Sequence, residues 1–166
     1  STRQAISLDQ PDEKIEDLKF ERFSSGYVEL NRVLGGGLVK GSFVLLGGAP
    51  GVGKSTLLMQ MAGGLAQEGA RILYVSSEES VPQTASRARR LGVRNAEVHV
   101  MSESHLPTIL EVAREMRPHV LVIDSIQTVF LPEISASPGS VSQVRECAGH
   151  LLTLAKADGI SVVLVG

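Results

Sequence analysis

Gly48-Ala49-Pro50-Gly51-Val52-Gly53-Lys54-Ser55, followed by Thr56, fills every fixed position of the pattern GxxxxGK[ST]. Its flanks are the ones the pattern requires. Upstream, Ser42-Phe43-Val44-Leu45-Leu46-Gly47 reads as an apolar strand running into a glycine turn. Downstream, residues 54–68 read as a helix with Leu57, Leu58, Met61 and Leu65 inward and Gly69 at its end. The glycines let successive backbone N–H groups converge on one concavity, and the helix N-terminus adds its partial positive charge. Residues 48–56 are therefore expected to cradle the phosphates of a nucleotide. In such a loop Lys54 reaches the β- and γ-phosphates and the Ser55 hydroxyl ligates Mg²⁺, which makes ATP the expected substrate and Mg²⁺ the expected metal.

Beyond this loop the chain alternates between strand and helix. Strands are expected over 71–76, 97–101, 119–124 and 160–166, and helices over about 81–91, 105–116 and 141–157. Ser80, Pro82 and Gly92 bracket the first of these helices, while Ser140 and Gln143 carry the spacing of a capping box at the start of the last. A shorter helix is expected after Ser24 or Ser25, stopped by Gly35. Five apolar strands with intervening helices imply an α/β fold, a parallel sheet covered on both faces. Residues 1–19 read as a polar linker or arm and 20–166 as the folded core. The end on an apolar strand, where such folds keep their ligands, points to an excised piece of a longer protein.

Two further segments carry chemistry. Val120-Leu121-Val122-Ile123-Asp124 is an apolar strand ending in a carboxylate, suited to hold Mg²⁺ through a water at the sheet edge. Ser76-Ser77-Glu78-Glu79-Ser80 ends the strand after the loop's helix. Hydrolysis needs a group to orient the attacking water; Glu78 is the candidate, with Glu79 tuning it or facing a neighbour. Both glutamates could equally serve the dipole of the next helix. Arg87, Arg89, Arg90 and Arg94 read as a solvated helix face, with a subunit-facing or DNA-facing patch as the rival reading.

Composition narrows the classes. The 166 residues are 43 % hydrophobic and 20 % charged, with a net charge of −2, so no overall basic footprint marks a nucleic-acid binder. A single cysteine, Cys147, excludes a disulfide framework or a cysteine-based zinc site within the chain and reads as a small core residue. His99, His105, His119 and His150 lack ligand spacing, and no run is long enough to span a membrane. A soluble, cytoplasmic protein is expected.

Taken together, FSSGYVELNRVLGGGLVKGS, GGAPGVGKSTLLMQ, YVSSEES, VLVIDSIQT and above all SPGSVSQVRECAGHLLTLAK resemble the bacterial RadA (Sms) DNA-repair ATPase family of the RecA superfamily, over about Phe23 to Gly166. The resemblance implies a RecA-like P-loop core whose five sheet strands run in the order 3-2-4-5-1. It implies the catalytic base role for Glu78, the phosphate role for Lys54 and the Mg²⁺ roles for Ser55 and Asp124. It also implies a homo-hexameric ring, single-stranded DNA in the central channel with 131–142 as a channel loop, branch migration of recombination intermediates, and the recombinase RecA as a partner. The family's four-cysteine zinc finger, its Lys-Asn-Arg-Phe-Gly motif and its Lon-protease-like domain are not in these 166 residues. A chain without the family's trans-acting cation is expected to bind Mg-nucleotide, hydrolyse it slowly and associate poorly. The alternative is a signalling or scaffold ATPase resembling KaiC, which shares the loop, the paired glutamates and the strand pattern without acting on DNA.

Overall fold

The computed structural model describes residues 22–23, 38–47 and 53–166. The 1–19 arm, the short helix expected after Ser24 and Gly48–Val52 lie outside the described residues. In chain order the elements are β1 (Arg22–Phe23), β2 (Leu38–Val39), β3 (Phe43–Leu46), α1 (Lys54–Gln67), β4 (Ile72–Ser76), α2 (Val81–Arg90), β5 (Val98–Ser102), α3 (Leu106–Met116), β6 (Val120–Asp124), α4 (Val141–Asp158) and β7 (Ser161–Val165). A 3₁₀ turn at Ile126–Thr128 follows β6.

The five apolar runs form one parallel sheet in the order β3-β7-β6-β4-β5. Counted by the core strands alone this is 3-2-4-5-1 read from the other edge, the expected RecA-like order. β1 and β2 pair separately and antiparallel, an addition that their two-residue lengths hid from periodicity.

Strand alternation divides the core. Leu73, Val75, Leu121, Ile123, Val162 and Leu164 face α3 and α4, whereas Ile72, Tyr74, Val120, Val122, Val163 and Val165 face α1 and α2. β6 and β7 are buried along both faces. Each fully buried aliphatic side chain contributes about 1.5–3 kcal/mol, so these strands, like the fully buried β4, are firmly anchored. Both deliver their ends to the same carboxyl edge of the sheet, where open α/β sheets hold ligands.

Two local expectations change. Leu57 is 38 % exposed, because α1 packs through Leu58, Met59, Met61, Ala62, Leu65 and Ala66. On α4, Ser140 caps the helix by accepting from the Gln143 N–H, but Gln143 does not complete a capping box. Its amide is buried instead. It accepts from Leu131 N–H at 3.0 Å and donates toward the carbonyls of Leu131, Ile134 and Ala136 at 3.1, 3.2 and 2.9 Å. The serine-rich segment ahead of α4 is thereby held by one side chain. Cys147, one turn further on, is buried in the core as expected.

Candidate active site

An open cavity of about 570 Å³ lies at the carboxyl edge of the sheet. Lys54, Ser55 and Thr56 enter it from the first turn of α1, Glu78 from the link after β4, and Asp124, Ser125 and Gln127 from the end of β6. Gly53 precedes α1 with φ 69°, a left-handed conformation that side chains disfavour although a Cβ there would meet nothing among the described residues. The first turn of α1 carries no acidic residue and opens on Lys54, a poor match to its own dipole and a good one to a bound anion. The Lys54 ammonium donates to the Gly166 carbonyl at 2.7 Å, which holds it beside the end of β7. Of the expected phosphate-binding segment, Gly53–Thr56 are described and line this cavity; Gly48, Ala49, Pro50, Gly51 and Val52 lie outside the described residues.

Alternation explains why Asp124 faces the cavity. Val120 and Val122 point to the α1/α2 face, so the residue two further along points the same way, toward the N-terminus of α1. The register pairs Ser76 with Asp124, so the link after β4 begins level with the end of β6. Ser77 fastens the two. Its N–H donates to the Asp124 carbonyl at 2.9 Å, and its hydroxyl accepts from Ser125 N–H and donates to Ser125 carbonyl, both at 2.9 Å, beside Thr128 Oγ1. On the other side the Glu79 N–H donates to Ser76 Oγ at 3.0 Å, and Ser80 caps α2 in a full capping box with Gln83. Glu78 therefore sits on a link pinned at both ends.

The two glutamates are in different situations. Glu79 accepts a 2.7 Å salt bridge from Arg87 Nη2. Glu78 is exposed toward the cavity with Lys54 and Asp124, and no ion pair engages it among the described residues. Arg87, read from sequence as part of a solvated face, turns inward with its side chain 14 % exposed, while Arg89, Arg90 and Arg94 are exposed as expected. Its guanidinium carbon lies 5.8 Å from the Tyr74 ring centroid, and Nη2 also reaches the Tyr74 hydroxyl at 3.5 Å. That hydroxyl donates to Asp124 Oδ2 at 2.8 Å. Burial first, then the neighbouring Asp124 carboxylate, push the Tyr74 phenol far above its ordinary pKa, so it remains a proton donor.

The donors fit Mg²⁺. Ser55 offers a hydroxyl and Asp124 a carboxylate, both hard oxygens. Among the described residues no three His, Cys, Asp or Glu side chains gather into an all-protein metal cage. A sparse oxygen set is what suits an ion that keeps several waters and completes its shell with phosphate oxygens. Tyr74 and Gln127 were given no role from the sequence, and Arg87 was read as part of a solvated face. Tyr74 looked like any core aromatic, and only the β4–β6 register brings it beneath Asp124.

Comparison with known proteins extends this picture. The protein-family model described as "AAA domain" matches residues 9–166. "DNA repair protein RadA" of Bacillus subtilis is 48 % identical over 163 residues, covering 98 % of this chain and 36 % of the relative. The proteins of the same name from Haemophilus influenzae and Escherichia coli are 50 % and 47 % identical, covering 87 % and 93 % of this chain and 31 % and 34 % of theirs. The chain thus spans about a third of the length of the curated relatives it matches. The RadA resemblance carried by the motifs is borne out, and the KaiC-like alternative is not favoured. A match that runs through the whole parallel sheet and both walls of the cavity places the chain in the AAA domain family, with a P-loop ATPase core like that of the bacterial RadA proteins.

Proposed function

We propose that this chain is the ATP-driven motor domain of a DNA repair and recombination protein. The observation that carries the reading is the convergence of Lys54, Ser55, Glu78 and Asp124, from three separate elements, on one open cavity at the carboxyl edge of the sheet. Gly48–Thr56 wraps the phosphates, and Lys54 exchanges the Gly166 carbonyl for the β- and γ-phosphate oxygens. Ser55 and, through a water, Asp124 hold Mg²⁺, which when bound neutralises phosphate charge. Glu78 accepts a hydrogen bond from the attacking water and aligns it with the γ-phosphorus. As the new O–P bond forms and the β–γ bridge breaks, Glu78 takes up the proton that water loses. Glu79, committed to Arg87, has a supporting role.

The same reading assigns residues 20–166 to the ATPase core and 1–19 to an arm. It extends to a cytoplasmic homo-hexamer that binds single-stranded DNA, migrates branched recombination intermediates and works alongside the recombinase RecA. The names of the relatives support the DNA repair assignment. The Gln143-held segment 131–136 supports a shaped loop ahead of α4 suited to line a channel.

Titration with a fluorescent ATP analogue tests the site. Lys54→Ala should abolish tight binding, and Asp124→Ala should mainly weaken the Mg²⁺-dependent part. Unchanged affinity in Lys54→Ala would sink the assignment. Phosphate release with and without single-stranded DNA, in a protein of the relatives' full length, tests the motor; no stimulation would count against the DNA role.

A further inference from the structure

The Asp124 carboxylate has a supporting partner on its protein side. Tyr74 is fully buried, and its hydroxyl donates to Oδ2 at 2.8 Å; among the described residues no hydrogen bond engages Oδ1. Beside the tyrosine lies Arg87, whose Nη2 bonds both Glu79 and the Tyr74 hydroxyl, while its Nε and Nη1 are buried without a hydrogen-bond partner among the described residues. A phenol can satisfy its single O–H on any nearby carbonyl, and a buried arginine is costly when its donors go unused. Here the O–H is spent on the site carboxylate and the arginine is retained beside it. The phenol holds one carboxylate oxygen and so restrains the carboxylate plane, and Glu79 and Arg87 line a pocket with Ser55, Glu78 and Asp124.

We propose that Tyr74 is a positioning residue for Asp124, braced by Arg87 and Glu79, and that these contacts set how strongly the site binds nucleotide together with Mg²⁺. The inference rests on the reading of Asp124 as the Mg²⁺-side carboxylate. With Oδ2 occupied by Tyr74, Oδ1 is the oxygen presented to the metal's water. Without the phenol, the carboxylate can rotate about its Cβ–Cγ bond, and its aim toward that water is lost. Partners of this kind typically contribute 10–100-fold to metal affinity.

Tyr74→Phe keeps the ring and removes only the hydroxyl. Binding of a fluorescent ATP analogue is followed at increasing Mg²⁺ and, separately, in excess chelator, alongside thermal melting of the nucleotide-free chain. The expected result is a half-saturating Mg²⁺ concentration raised about 10-fold, with chelator-condition affinity unchanged. Arg87→Gln, which leaves the phenol in place but removes its brace, should shift the Mg²⁺ curve the same way by a smaller factor. Mg²⁺ curves that superimpose on the parent for both variants would overturn the proposal, whatever the melting temperatures do. Equal weakening with and without Mg²⁺ would also overturn it, by showing that Tyr74 merely supports the fold. Lys54→Ala run in parallel separates the two failures: if it binds normally, the nucleotide site itself has been misread.

Discussion

Glu78 and Glu79 are adjacent and chemically identical, yet substituting them should damage different properties. Glu79 is the only ion-pair partner of Arg87 among the described residues, and the arginine side chain is 14 % exposed against 37 % for the glutamate. Breaking a fully buried pair by removing one partner costs about 3–5 kcal/mol. Solvent reaches Glu79, so screening lowers the figure to roughly 2 kcal/mol for Glu79→Ala. Glu79→Gln keeps an oxygen able to accept from Nη2 and loses only the charge assistance, about half the bond's strength, so about 1 kcal/mol is expected. For a chain of this size that lowers Tm by about 2–4 °C. Glu78→Gln breaks no ion pair and should melt like the parent, but it removes the proposed base, which general-base catalysis values at about 100-fold or more in turnover. Thermal melting and phosphate release under excess protein, measured for both variants, give the four numbers needed. A Glu79→Gln chain that melts normally and turns over as slowly as Glu78→Gln would refute the division of roles.

Gln143→Leu preserves volume but strips the buried Leu131 N–H and three carbonyls of their partner, so a loss of about 2–4 kcal/mol is expected, with faster proteolysis inside 131–140. An unchanged melting temperature and cleavage rate would contradict the clamp. Burial, followed by the charges of Glu133 and Glu146, pushes the Cys147 thiol from 9.0 up to about 11. The folded chain therefore holds this proton more tightly than the unfolded one. Its contribution is complete below about pH 9 and disappears as pH rises through 9–11, a loss on the order of 2 kcal/mol. Denaturant titrations across that window should fall less steeply for Cys147→Ala, and parallel slopes would exclude the effect.

Much of this was legible because local signals agreed. The strand runs, the Ser80 cap, the inward Cys147 and the positions of Lys54, Glu78 and Asp124 at one sheet edge all follow from periodicity, capping chemistry and a strong loop motif. The errors came from reading residue type ahead of position. Four arginines within eight residues suggested a solvated face, yet Arg87 borders the buried Thr84–Ala88 stripe of α2. Gln143 had capping-box spacing, but it also begins the series Gln143, Cys147, Leu151 at intervals of four, the buried stripe of α4. That series was a usable signal. The Tyr74–Asp124 bond had none, because it depends on which strands become neighbours and in what register.

Ser77 continues the pairing of β4 with β6 one step past their last registered residues, Ser76 and Asp124. The spacing between the two carboxylate-bearing turns is therefore inherited from the pleated sheet, whose neighbouring strands stand about 4.8 Å apart. The sheet acts as a ruler. Substitutions along β4 or β6 can alter packing without moving its marks, but a one-residue insertion or deletion reverses every face beyond it. Deleting any one of Val120–Ile123 would turn Asp124 toward α3 and α4, away from Tyr74 and from the Lys54 turn. In these two strands the site depends on length as well as on the side chains of Tyr74 and Asp124.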